Sequence, residues 1–157
     1  MTIWRLLEAL KERLEHEFKG FTLKDETGER VPLKFFLQNL PGTEAEYDTR
    51  IFPYVVIRFE RLHDIDYETA FGDVLFVIGI FDDDRFYQGY KDVINIQEKI
   101  RQSLCRDHLL DGRFILQFPL SISTSDDFSD STYPYFFGIV MTKWKVPVML
   151  QNMEAFD

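Results

Sequence analysis

"DVLFVIGIFDDDRFYQGYKDVINIQEKI", residues 73–100, decides how the rest of the chain is read. Residues 73–81 are apolar at odd and even positions alike. An extended strand alternates its side chains between two faces, so this one has both faces covered and belongs near the middle of a sheet. Beyond the three aspartates the period changes. Tyr90, Val93, Ile94, Ile96, Ile100 and Leu104 recur at helical spacing, which predicts a helix from about Tyr87 to Arg106 with those residues as its buried stripe. Asp84 is expected to cap that helix, its carboxylate accepting orphan N–H groups at the positive end of the dipole.

The flanks extend the pattern. Ahead of the central strand, "PYVVIRFER" (53–61) sets Val55, Ile57 and Phe59 on one face and Arg58 and Glu60 on the other. "LHDIDYETAFG" joins the two strands as a loop or an extended hairpin tip. After the helix, "RFILQFPLSIS" (113–123) alternates, with Phe114, Leu116, Phe118, Leu120 and Ile122 expected on one side. "YFFGIVMTKWKVPVML" (135–150) reads as a last, long strand. At the other terminus Ile3, Leu6, Leu7, Leu10, Leu14 and Phe18 form the apolar stripe of a first helix, capped by Thr2 and stopped at Lys19-Gly20. "RVPLKFFLQ" (30–38) is expected as one strand, paired with "FTLKD" (21–25) through a turn at Thr27-Gly28. Residues 39–52 read as a long mobile loop and 149–157 as a tail.

The sum is one α+β domain over 1–157: a mainly antiparallel sheet of four to six strands, with an N-terminal helix and a second long helix packed on it.

Composition narrows the function. The 157 residues carry 27 acidic against 18 basic side chains, a formal net charge of -9, which repels phosphates and argues against a nucleic-acid surface. Aromatic residues make up 16%, an excess that suits a filled small core or a large contact surface. The one cysteine, Cys105, leaves no internal disulfide and suits a reducing compartment. The N-terminal stretch has charges threaded through it and no small-residue cleavage site, so it is not read as a signal peptide. No apolar run approaches the length of a membrane span.

Candidate chemistry is sparse. Asp82 and Asp84 point to the same side of extended backbone and can hold magnesium if a phosphate completes its shell. An EF-hand loop counted from Asp82 fails, because Tyr87 stands where glycine is needed and Val93 where glutamate is needed. "HDID" (63–66) offers a histidine and two aspartates in a loop. Cys105 and His108 lie three apart at a helix end, with no orienting third group nearby. The eight glycines are too scattered for a phosphate-cradling loop, and there is no G-x-S-x-G or HExxH. The acidic loops, carrying Asp64, Asp66, Asp82, Asp83, Asp84, Asp126 and Asp127, fall at strand ends, where together they would form a negative rim that sheds DNA phosphates.

The first helix, "FPYVVIRF" (52–59), "VLFVIGIFDDD" (74–84), "QGYKDVINIQEKIRQSL" (88–104), "FILQFPLSI" (114–122) and "YPYFFGIVMTKWKVP" (133–147), in that order, resemble the tail-terminator and tail-completion proteins of long-tailed bacteriophages and prophages. The resemblance runs from the first helix to about Val148. It implies a helix-flanked antiparallel sheet that assembles into a ring, usually of six subunits, which caps the tail tube and docks to the head connector. It implies no cofactor, no metal, no membrane and no catalytic residue, and a place in the virion tail after assembly in the host cytoplasm. Phe128, Tyr133, Tyr135 and Trp144 are the expected subunit or partner contacts. The alternatives are another head–tail joining or tube component, or a magnesium-dependent enzyme using Asp82 and Asp84.

Overall fold

A computed structural model describes residues 2–41, 51–84, 89–124 and 133–148. The elements in chain order are α1 (Thr2–Glu17), β1 (Thr22–Lys24), β2 (Arg30–Pro32), β3 (Lys34–Leu37), β4 (Tyr54–Asp64), β5 (Ala70–Phe81), α2 (Gly89–Arg106), β6 (Leu109–Leu110), β7 (Phe114–Thr124) and β8 (Tyr135–Val146). The architecture is α+β, as the periodicities require. The main sheet has six strands in the order β3-β4-β5-β8-β7-β6. Every pair is antiparallel except β3–β4, which is parallel. β1 and β2 form a separate antiparallel ribbon.

β5 sits inside the sheet with β4 and β8 on its two sides, the place its two-faced apolar sequence demands. Even-numbered residues of β5 and β8 (Val74, Phe76, Ile78, Ile80; Phe136, Val140, Trp144) turn to the inner face and are buried. Both helices pack there, α1 over β3 and β4 and α2 over β5, β7 and β8. Leu6, Leu7, Leu10 and Leu14 of α1 are fully buried, each worth about 1.5–3 kcal/mol of apolar burial. α1 closes as expected, with Gly20 in the left-handed conformation (φ 83°).

α2 lies very close to β8 because Gly138 has no side chain. A Cβ there would stand 2.5 Å from Val93 Cγ1 and 2.6 Å from Gln97 Nε2. Gln97 uses that proximity to cross-link the sheet: Nε2 donates to the carbonyls of Ser123 (2.7 Å) and Ile139 (2.9 Å), joining β7 and β8 to the helix. Arg13 of α1 closes the far end of α2, donating to the Ser103 and Asp107 carbonyls and the Asp107 carboxylate. A guanidinium at a helix C-terminus meets the negative end of the dipole.

Several expectations are corrected. "RVPLKFFLQ" is two strands: Leu33 is buried and breaks the run, so Arg30–Pro32 pairs with β1 while Lys34–Leu37 joins the main sheet beside β4. The turn between β1 and β2 is where it was expected. Asp25, itself buried, accepts from the Thr27 N–H (2.8 Å) and hydroxyl (2.5 Å), and Gly28 takes φ 87°. Phe118 does not share the buried face of β7. Two extra residues enter β7 between Gln117 and Ser121 opposite β8, which ejects Phe118 to 69% exposure. Because the insertion is of two residues, Leu120 and Ile122 return to the inner side and pack against the core. Ile94, expected in the α2 stripe, is 45% exposed, and Gln97 and Ser103 take the buried positions. β8 ends at Val146 rather than 150, and the tail 149–157 and most of the loop 39–52 lie outside the described residues. No described helix is long and apolar enough to cross a membrane.

Candidate interaction surface

The helices cover one face of the sheet, and among the described residues no helix packs on the other. That outer face is built by odd-numbered residues of β5 and β8 and their partners across the ladders: Arg58 opposite Leu75, Arg61 opposite Asp73, Leu75 opposite Met141, Asp73 opposite Lys143, Val77 opposite Ile139. Alternation explains the placement of each, since neighbours such as Val74, Thr142 and Trp144 are thereby turned inward.

The face has two ends. Toward the C-terminal end of β5, Phe52, Tyr54, Phe81, Tyr135 and Phe137 form an aromatic cluster, with Phe52 centred 5.0 Å from Tyr54, 4.8 Å from Tyr135 and 6.2 Å from Phe137, and Phe81 5.8 Å from Tyr135. Tyr54 lies across Gly79, whose missing side chain leaves room for the ring. Burial of Tyr54 pushes its phenol above the ordinary tyrosine range.

At the other end Arg58, Arg61, Lys143 and Lys145 are exposed beside Glu60 and Asp73. Arg61 Nε lies 3.1 Å and His63 Nε2 3.3 Å from Asp73 Oδ2, and Lys143 Nζ lies 6.0 Å from the Phe71 ring centre. Across this end runs a groove of about 540 Å3, floored by Leu75, Met141 and Pro119 and edged by Arg61 and Lys143 together with Glu60 and Asp73, two cations against two carboxylates. Four cations against two carboxylates give this patch a formal charge of +2 in a chain whose total is -9. Lysine and arginine look scattered in the sequence; the gathering of these four is legible only once β4 and β8 are known to flank β5. The alternating "MTKWK" of β8 is the one local signal of it.

Beyond the groove the β4–β5 ribbon projects past the end of β8, whose last residue pairs with Ala70. Its tip, "DIDYE" (64–68), is ordered by its own hydrogen bonds: the Ile65 N–H donates to the Thr69 carbonyl (2.8 Å), and Asp66 Oδ1 accepts from the Glu68 N–H (2.8 Å). The bond from the Glu68 N–H, with a second from the Thr69 side chain, holds the Asp66 carboxyl below the usual aspartate range. Ile65 is 63% and Tyr67 79% exposed, flanked by three carboxylates.

The expected site residues fall in different places. Asp64 and Asp66 stand at this tip, whereas Asp82, Asp83 and Asp84 follow the opposite end of β5, about 40 Å away along a 12-residue strand. The structure therefore does not gather these acids on one rim; Asp126 and Asp127 lie outside the described residues, as does Phe128. The cap expected of Asp84 involves residues 85–88, which lie outside the described residues. The Asp84 N–H donates to Asp82 Oδ1 (2.9 Å) as the chain leaves β5, and Asp92 is the acid in the first described turn of α2. Burial and the nearby Asp82 charge raise Asp92 above the usual carboxylate range.

Trp144, expected as a contact, is a core residue with no exposed surface, its indole N–H donating to Thr142 Oγ1 (2.9 Å). Tyr135 belongs to the outer aromatic cluster, and Tyr133 donates its hydroxyl to the Asp83 carbonyl. His63 turns to Asp73 rather than to its sequence neighbours, and Cys105 packs half-buried against the core. Among the described residues no three His, Cys, Asp or Glu side chains are grouped to hold a metal ion.

No family model matches the chain, and no curated protein matches it. One solved structure aligns over 88% of this chain and 94% of its own, at 9% identity and a TM-score of 0.46.

Proposed function

We propose that the chain is a structural tail-assembly protein of a long-tailed bacteriophage or prophage: a terminator that closes into a ring, caps the finished tail tube and joins it to the head connector. Two things support this reading. The sequence resembles that family from the first helix to about Val148, and the sheet carries a broad open face of apolar, aromatic and charged side chains suited to other protein surfaces. This outer face is the observation that carries the reading, because apolar side chains that no described helix covers are suited to contact with another protein surface. Here Leu75, Val77, Ile139 and the exposed Met141 do not suit water.

The test is assembly. Purified protein viewed by negative-stain electron microscopy is expected to show annular particles, and its addition to uncapped tail tubes to halt their growth at one end. Tubes that elongate unchanged in the presence of excess protein would refute the proposal.

A further inference from the structure

We infer that the two-residue insertion in β7, around Phe118 and Pro119, keeps the outer edge of the main sheet from taking up a strand of another molecule, so that this protein meets its partners through side chains and not by extending its sheet. Copies in a ring would then be held by side-chain contacts, and a chain that forms no ring keeps the same edge closed.

The edge lies where a further strand could pair. β6 covers only Phe114 and Ile115, and among the described residues no strand lies beyond β7 from Gln117 onward. The Leu116 N–H points outward and donates to the His108 carbonyl (2.9 Å). Backbone groups alternate along an antiparallel strand, so Gln117 turns its own to β8. The insertion is of two residues and preserves that parity, which turns the backbone of Ile122 outward again. A straight strand of eight residues would present about 26 Å of such edge. The alternation of Leu120 and Ile122 with serines suits extended pairing.

Pro119 breaks that length. In a regular strand it would be the next residue after Gln117 to face β8, and it has no N–H to give the ladder. Pairing accordingly stops at Gln117–Lys143 and resumes at Ser121–Met141, with two residues of β7 carried out of line. A bulge bends its strand and increases its twist, so the outer edge is divided into short pieces that a straight partner cannot follow. The opposite edge of the sheet is short as well. β3 has four residues and stops at Gln38 (φ 71°), where the Asn39 N–H folds back onto the Leu37 carbonyl (2.8 Å).

The experiment uses the full chain and a variant from which Phe118 and Pro119 are deleted. Deletion brings Leu120 opposite Thr142, on the inner side where it already packs, and makes β7 continuous from Phe114 to Thr124. Circular dichroism and thermal melting establish that the variant folds. In sedimentation velocity it is expected to associate at concentrations about tenfold or more below those the wild type needs. Amide exchange at Ile122 should slow as it does so. A folded deletion variant that associates no more readily than the wild type overturns the inference.

The second arm uses the wild type alone and decides the matter if the deletion variant does not fold. The Ile122 amide is expected to exchange at one rate in dilute and in concentrated solution, in monomers and rings alike, because no strand is added there. Exchange that slows on association overturns the inference while leaving the ring reading standing. A wild type that stays monomeric at every concentration and on tail tubes has its edge closed as inferred, and overturns the ring reading alone.

Discussion

Replacing Gly138 with alanine measures how tightly α2 is seated on the sheet. The new Cβ would lie 2.5 Å from Val93 Cγ1 and 2.6 Å from Gln97 Nε2, well inside van der Waals contact. Val93 is fully buried and cannot turn away, and Gln97 is held by its bonds to the Ser123 and Ile139 carbonyls at 2.7 and 2.9 Å. Overpacking of this kind costs about 1–3 kcal/mol. Dislodging Gln97 adds roughly 0.5–1.5 kcal/mol for each hydrogen bond lost. The sum is about 2–6 kcal/mol, or a fall in melting temperature on the order of 5–20 °C for a chain of this size.

Gln97→Ala alone removes the same two bonds and is expected to cost on the order of 1–3 kcal/mol. In the double variant, however, half of the clash has gone. Urea denaturation of the two single variants and the double should therefore show a double-variant cost at least ~1 kcal/mol below the sum. If the costs add to within about 0.5 kcal/mol, or if Gly138→Ala is neutral, the close seating of the helix is wrong.

Three further outcomes follow from side chains already placed. With Trp4 replaced by phenylalanine, the remaining fluorescence comes from the fully buried Trp144 and should be blue-shifted and resistant to iodide; efficient quenching would contradict its burial. Arg13→Ala removes the donor to the Ser103 and Asp107 carbonyls and should cost about 1–2 kcal/mol in urea denaturation, with amide exchange accelerated in the last turn of α2. Asp92 is raised by burial and by Asp82, so its ionised form opposes folding. That cost is absent below the ordinary aspartate pKa, grows as pH rises through the folded value and is complete above it. Asp92→Asn should thus melt higher than wild type at neutral pH, with the difference vanishing as pH falls below the ordinary aspartate range; a constant or inverted difference would refute the assignment.

Periodicity made the core legible. The two-faced run at 73–81 announced a central strand, and the stripe from Val93 to Leu104 announced a helix, because burial repeats at two residues in one and 3.6 in the other. What periodicity could not carry was anything set by a neighbour. Gln97 looks like a surface residue until Gly138 and the two sheet carbonyls are brought beneath it. Phe118 keeps perfect alternation with Leu116 and Leu120, yet an irregular pairing opposite β8 ejects it. The parallel β3–β4 pair was hidden because four residues say little about their partner. The groove was hidden for the same reason: Arg61 and Lys143 are 82 positions apart and meet only across β5.

The ladder between β5 and β8 also has a consequence for synthesis. β5 is finished at Phe81, but the strand that covers its second edge is finished only at Val146. At a ribosome's pace of 5–20 residues per second, that leaves roughly 3–13 seconds in which a strand apolar on both faces has one bare edge. An unpaired edge of that composition is a template for the nascent chain next to it on the same messenger. Sheltering that edge, whether by a chaperone or by spacing between ribosomes, is therefore a condition for recovering this protein in its folded form.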